Sequence, residues 1–194
     1  MVYPATELIA PGVVWHIEGE RFPLGELDGI ASNRVKDPSD LFAKAGLKAP
    51  VLDNIRNEIW LKLWGNLTLN PISVLTRATL QDICQFPQGR TLATNMMKEA
   101  QGVGEKLGAS FRVNLKKRID GAEKVGKHKT SMLQDVEAGQ AIEVDALVGA
   151  VIELGALTNT PTRTIRAIYL ASKLLAHTIE TDKVAVRGIA LLQL

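Results

Sequence analysis

Lys62, Asn66 and Asn70 recur every fourth residue in the segment "WLKLWGNLTLNP", which otherwise carries large apolar side chains. On a helix such residues lie nearly above one another, so the three define a polar line about 12 Å long. Glu58, one turn earlier, extends it outward. A surface line of Glu–Lys pairs is the ordinary explanation and is worth only a few tenths of a kcal/mol. Two asparagines with Gly65 between them are poor material for a solvent face, because the amides compete for backbone hydrogen bonds. The wall of a polar pocket suits them better. There, burial would lower the Lys62 pKa towards its proton-donating range. Neutral amides can hold a hydroxyl or a carboxylate. An ammonium that stabilises and protonates a carbonyl oxygen while hydride arrives at the carbon is the chemistry such a wall suits.

A second constellation lies in "TSMLQDVEAGQAIEVDAL", residues 130–147, with Ser131, Gln134, Asp135 and Glu137 ahead of a glycine break and Glu143 at the start of the next helical pattern. Glu143 stands between Ala141-Ile142 and Val144, a carboxylate in an apolar setting. It is either a first-turn acid favoured by the helix dipole or a partner for a substrate hydroxyl or for Lys62.

The elements that must position these groups are mostly helical. Asp53 is a plausible N-cap for a helix ending or kinking at Pro71. Leu92, Met96, Ala100, Val103 and Leu107 form a helical stripe that Gly108 ends. Ser110 opens a further helix with Phe111, Leu115, Ile119, Ala122 and Val125 as its apolar face. Helical patterns follow at Thr130–Ala138, at Ile142–Leu154, and from Thr160-Pro161 to about Ile179. Ahead of them, "PSDLFAKAG" reads as a short helix starting after Pro38, and "KAPVLD" as an extended link. Val13–Ile17 and Arg21–Leu24, joined by Glu18-Gly19-Glu20, read as a hairpin that needs a partner sheet. The expected organisation is therefore 1–52, a β-containing remnant; 53–180, a helical domain; and 181–194, an apolar tail.

Bulk properties exclude other classes. The chain has 194 residues, 46% hydrophobic and 23% charged, with a net charge of +2. Its basic residues are scattered, and the densest group, Lys116 to Lys129, is interrupted by Asp120 and Glu123, so a nucleic-acid surface is not expected. One cysteine, Cys84, permits no internal disulfide. His16, His128 and His177 lack metal-ligand spacing. No apolar run approaches the roughly 20 residues of a membrane span, and no signal-peptide pattern opens the chain, so a cytoplasmic protein is expected.

At "EIWLKLWGNLTLNPIS", "SMLQDVEAGQAIEVDAL" and, less specifically, "NTPTRTIRAIYLASKLL", the sequence resembles the ketopantoate reductases (2-dehydropantoate 2-reductases). "APGVVWHIEGERFPLGE" is similar to the last strands of that family's N-terminal domain. The resemblance implies a mainly α fold: a helical domain like the C-terminal domain of 6-phosphogluconate dehydrogenase, preceded by a small β-hairpin remnant of a Rossmann-type domain. It implies NADPH-dependent reduction of 2-dehydropantoate to pantoate in pantothenate biosynthesis, with the substrate in the cleft between the two domains. Lys62 takes the place of the catalytic lysine, the general acid. Asn66, Asn70 and Ser131 take those of substrate-binding residues, and Glu143 that of the glutamate that binds and orients substrate. Some members carry a further asparagine about ten residues beyond the Asn-Pro pair, where this chain has Arg77-Ala78-Thr79-Leu80-Gln81. No glycine-rich dinucleotide fingerprint follows a first strand. "GVGEKLG", residues 102–108, reads as small-residue packing near a helix end. NADP would then need a nucleotide-binding domain that is missing or separate, and the chain alone is expected to be inactive or nearly so. A homo-oligomer is expected from the uncovered hairpin edge. The alternative reading is a non-catalytic helical interaction or oligomerisation module.

Overall fold

Pro11 and Gly12 turn the chain between its two strands, β1 (Ala5–Ala10) and β2 (Val13–Glu18), in a computed structural model that describes residues 1–186, the Glu7 and Glu18 side chains aside. Gly12 takes φ +76°, a turn conformation glycine adopts without strain. The hairpin therefore lies one strand earlier than the Val13–Ile17 and Arg21–Leu24 pairing expected from sequence. Residues 20–24 instead run parallel to 48–52: Lys48 N donates to Glu20 O, Phe22 N to Lys48 O, Leu24 N to Pro50 O and Leu52 N to Leu24 O. Pro50 has no N–H to continue that ladder, so only isolated bridges form at Arg21–Lys48 and Leu24–Val51.

Helix α1 (Asn33–Lys44) carries Pro38 inside it, so it starts before the proline rather than after it. One missing N–H removes one backbone bond and does not end the helix here. Gly46, at φ +80°, terminates it as expected, with Leu47 N returning to Phe42 O. Phe22 and Phe42 pack with ring centroids 5.2 Å apart.

Helix α2 (Ile55–Thr76) has its first turn capped by Asn54, not Asp53: the Asn54 side chain accepts from Asn57 N at 3.1 Å. It also continues through Pro71, where a stop or kink was expected. Beyond the proline, Ile72 and Val74 are each 2% exposed, and that burial holds the last turn in place. The chain forms two compact units, Met1–Trp60 and one beginning at Leu61, with the dividing line inside α2.

In the second unit, α3 (Leu80–Gln85) opens on a capping box formed by Thr79 and Asp82, a helix not anticipated from sequence. α4 (Pro87–Lys106) buries Met96, Ala100 and Val103 as expected, whereas Leu107 is its half-exposed cap. α5 (Leu115–Lys124) starts later than Ser110, because Asn114 is the cap, accepting from Lys117 N at 2.8 Å. Phe111 therefore precedes the helix and lies against Trp64, ring centroids 4.7 Å apart. α6 (Ser131–Ala138) ends at Gly139 as read from sequence, and the structure adds that Thr130 is its N-cap and Gly139 its left-handed C-cap. The next pattern is not a plain helix: a π turn over Asp145–Gly149 leads into α7 (Ala150–Leu157).

α8 (Arg163–Asp182) is capped from another element. Thr160-Pro161 lies ahead of it, and the Glu99 carboxylate of α4 accepts from Thr164 N at 2.9 Å and Ile165 N at 3.0 Å. A carboxylate against otherwise unpaired N–H groups at a helix start is doubly favourable. Val74, Met132, Leu133, Val136 and Ile179 form a core that joins α2, α6 and α8, with Ile142 and Leu147 packed on it. Of the expected tail, Thr181 and Asp182 complete α8, and Val186 N donates to Val136 O. Residues 187–194 lie outside those described.

Candidate active site

Trp64 anchors α2 on the side opposite the polar line: it is fully buried, and its indole N–H donates to Met97 O at 2.7 Å. Leu67, also fully buried, reinforces that side. The polar line then sinks along the helix. Lys62 and Asn66 are half-buried, and Asn70 is only 6% exposed. Burial pushes the Lys62 ammonium below its ordinary value, since desolvation disfavours the charged form. Glu58 does not extend the line outward. It is 6% exposed, and the Tyr3 hydroxyl donates to its Oε1 at 2.7 Å.

The deep end of the line meets α6. Ser73, three residues beyond Asn70, donates to Asn70 O at 3.0 Å, and its Oγ lies 2.5 Å from Thr130 Oγ1. Thr130 in turn caps α6, accepting from Leu133 N at 3.2 Å. One buried hydroxyl pair thus ties the Asn70 end of α2 to the residue preceding Ser131, which is exposed. Sequence reasoning noted neither Ser73 nor the Ser73–Thr130 pair, although Ser73 completes the quoted "NPIS" segment.

Glu143 follows the opposite, C-terminal end of α6. Gly139 N returns to Val136 O and Gln140 N to Asp135 O, so the chain folds back over the end of α6. Val144 is 1% exposed and Ile142 packs on the core, while Glu143 between them is exposed. Its setting is therefore not apolar: its neighbours turn inward and it turns out. Its charge is felt by Asp135, whose carboxyl is pushed up first by burial and then by Glu143. Asp135 stands one turn from Ser131 on α6, and Glu143 lies near enough to act on its charge. The π turn that begins two residues after Glu143 is a rare geometry that recurs at functional sites.

Two further sequence features resolve. Arg77, at φ +63°, donates through Nη2 to Glu137 Oε1 at 2.9 Å, and Thr79 caps α3. The stretch where some ketopantoate reductases place an extra asparagine is thereby committed to structural work. Gly102 and Gly104 lie inside α4, Gly104 buried, and Gly108 at φ +82° follows its end. A pyrophosphate cradle needs a glycine turn between a strand and a helix start. The glycine run at 102–108 follows no strand and opens no helix, so it does not fit NADP.

Residues 54–176 match the family described as "Ketopantoate reductase PanE/ApbA C terminal". The chain belongs to the ketopantoate reductase family. It is 54% identical over 176 residues to a 2-dehydropantoate 2-reductase of Mesorhizobium japonicum, covering 91% of this chain and 54% of that one. Among solved structures, a candidate ketopantoate reductase from Ralstonia solanacearum MolK2 superposes with TM-score 0.85 at 37% identity, over 91% of this chain and 54% of that one. The 2-dehydropantoate 2-reductase of Methylococcus capsulatus gives 0.84 at 30% identity, over 91% and 62%. The chain spans about half the length of the curated relatives it matches. Its mainly helical architecture is that of the ketopantoate reductases. No helix among the described residues is long and apolar enough to cross a membrane.

Proposed function

We propose that this chain provides the substrate-binding and proton-donating part of a 2-dehydropantoate 2-reductase, acting on ketopantoate or a close 2-oxo acid in pantothenate biosynthesis. The observation that carries the reading is the burial gradient along α2, from a half-buried Lys62 with a depressed pKa to a nearly buried Asn70. A solvent face would show neither.

In this reading the Lys62 ammonium hydrogen-bonds the substrate's keto oxygen and gives it a proton as negative charge develops there. Depression of its pKa makes it a better acid than a surface lysine at neutral pH. The amides of Asn66 and Asn70 orient the carboxylate and hydroxyl of the substrate, Ser131 adds a hydroxyl contact, and Glu143 accepts from a substrate hydroxyl. NADP is the proposed cofactor, held by a nucleotide-binding domain rather than by the residues described above. The work of this chain is to bind, orient and protonate. A cytoplasmic setting and self-association belong to the same proposal.

The test combines this chain with the nucleotide-binding half of the Mesorhizobium japonicum relative and follows NADPH consumption with ketopantoate, with pyruvate and 2-oxoisovalerate as competitors. Turnover that requires Lys62 and prefers ketopantoate is expected. Silence with both parts folded and associated, or full activity in Lys62→Ala, overturns the reading.

A further inference from the structure

The backbone that carries Glu143 is tied to α8 through the side chain of Asp145, two residues further on. Asp145 Oδ1 accepts from the Tyr169 hydroxyl at 2.7 Å, and Oδ2 accepts from Lys173 Nζ at 2.8 Å. The two donors stand one turn apart on α8, so both carboxylate oxygens are held by one face of one helix. The Tyr169 ring also reaches the far end of the π turn. A Cβ at Gly149 would stand 3.3 Å from Tyr169 Cε2 and 3.5 Å from its hydroxyl oxygen. Gly149 thus leaves room for the ring to lie along the turn, from its last residue back to its first, Asp145. The Lys173 and Tyr169 bonds hold the Asp145 carboxyl below the ordinary carboxylate range, so the acceptor is charged at neutral pH.

The Glu143 side chain forms no hydrogen bond or ion pair among the described residues, so its direction is set by its backbone. That backbone belongs to the same turn as Asp145, because Leu147 N donates to Glu143 O at 3.1 Å. Val144 and Ile142 anchor it on the core side. On the α8 side its packing is incomplete. A cavity of about 570 Å³ lies there, lined by Gln140, Ile142, Val144 and Asp145 from the loop and by Lys173 and Ile179 from α8. Empty space offers no contacts to resist a shift of the loop, and the Asp145 bonds span its edge. The Asp145 and Lys173 side chains are 63% and 44% exposed, so their pairing adds little to overall stability. Its consequence is geometric.

We infer that Asp145, gripped by Tyr169 and Lys173, is a positioning residue that aims the Glu143 carboxylate at the substrate hydroxyl and so sets a preference for hydroxylated 2-oxo acids. The inference rests on the reading of Glu143 given above, as the acceptor of that hydroxyl. Displacing a carboxylate by about 1 Å forfeits most of a directional hydrogen bond. An acceptor held in place favours a substrate that carries the hydroxyl and, left unpaired, disfavours one that lacks it. In the same reading the proton for the keto oxygen comes from Lys62 on α2. Loss of the Asp145 grip therefore falls on recognition rather than on the proton transfer.

The test compares ketopantoate with trimethylpyruvate, the same skeleton with hydrogen in place of the hydroxyl, in the chain complemented by the nucleotide-binding half of the Mesorhizobium japonicum relative. Asp145→Ala and Tyr169→Phe should each raise the KM for ketopantoate about tenfold or more, with kcat and the trimethylpyruvate parameters little changed. Lys173→Arg keeps a cationic donor and should stay near the parent. Glu143→Ala should abolish the preference by itself, and Asp145→Ala added to it should lower the preference no further. A parent-like preference in Asp145→Ala and Tyr169→Phe, with Glu143→Ala still losing it, overturns the positioning role and leaves the reductase reading standing. A preference that Glu143→Ala leaves intact overturns the reading of Glu143 and this inference with it. Amide hydrogen exchange of the isolated chain gives a readout independent of turnover. Residues 143–148 should exchange faster in Asp145→Ala and Tyr169→Phe than in the parent, and unchanged exchange overturns the inference whatever the assay gives.

Discussion

Ser73 Oγ on α2 and Thr130 Oγ1 at the head of α6 lie 2.5 Å apart, both buried, a hydrogen bond that ties the α2 turn following Asn70 to the cap of α6. Thr130→Ala removes both this bond and the α6 cap and should lower stability by about 1–2 kcal/mol. Ser73→Ala loses the pair but spares the cap, so about 1 kcal/mol is expected. Urea denaturation of both single variants and the double variant should give a coupling of at least about 0.5 kcal/mol. Strict additivity would remove the link between the two helices.

Lys62→Met separates the chemical from the structural consequences of burying an amine. In the complemented reductase, kcat should fall by about 100-fold or more, the typical contribution of a general acid. The isolated chain should instead become more stable. The folded-state pKa is depressed below 10.5, so between the lowered value and 10.5 the unfolded chain holds more protons. Stability of the parent therefore rises with pH across that window, and the penalty is largest below it. Thermal melts of parent and variant at neutral and at alkaline pH should converge as the pH rises.

Asp135→Asn should act with the opposite pH dependence. The folded-state pKa is raised above 3.8 by burial and by Glu143, so the native state holds the proton longer than the unfolded chain. Stability from this group is present in acid and lost as pH rises through the raised value. The asparagine variant should be the more stable one at neutral pH, with the gap closing in acid. Glu143→Gln should shrink that gap, because it removes the second of the two causes.

Glu99→Ala should destabilise the helical unit by about 1–2 kcal/mol, since two N–H groups at the start of α8 lose their acceptor. Glu99→Gln keeps an acceptor oxygen and should recover part of that loss. Hydrogen exchange at Thr164 and Ile165 reads the effect directly: protection should drop in the alanine variant and not elsewhere in α8.

The sequence by itself determined the helical character of the chain, the α6 boundaries and the polar line on α2. Each rests on local chemistry: Thr130 and Gly139 are a cap and a left-handed stop, and a four-residue repeat defines one side of any helix. It also placed the glycines at 102–108 at a helix end. The errors fell where a local rule was outweighed by contacts distant in sequence. Pro71 and Pro38 each remove one hydrogen bond, a modest loss beside the burial that carries α2 through Ile72 and Val74. Residues 20–24 look like a hairpin strand, yet their partner is a segment more than twenty residues away. Only the tertiary structure decided that Asn70 is buried while Glu143 faces out, that Glu99 caps α8, and that Ser73 meets Thr130. Burial and hydrogen bonding between α2, α4, α6 and α8 depend on how helices pack, and packing is a property of pairs of surfaces rather than of any one stretch of chain.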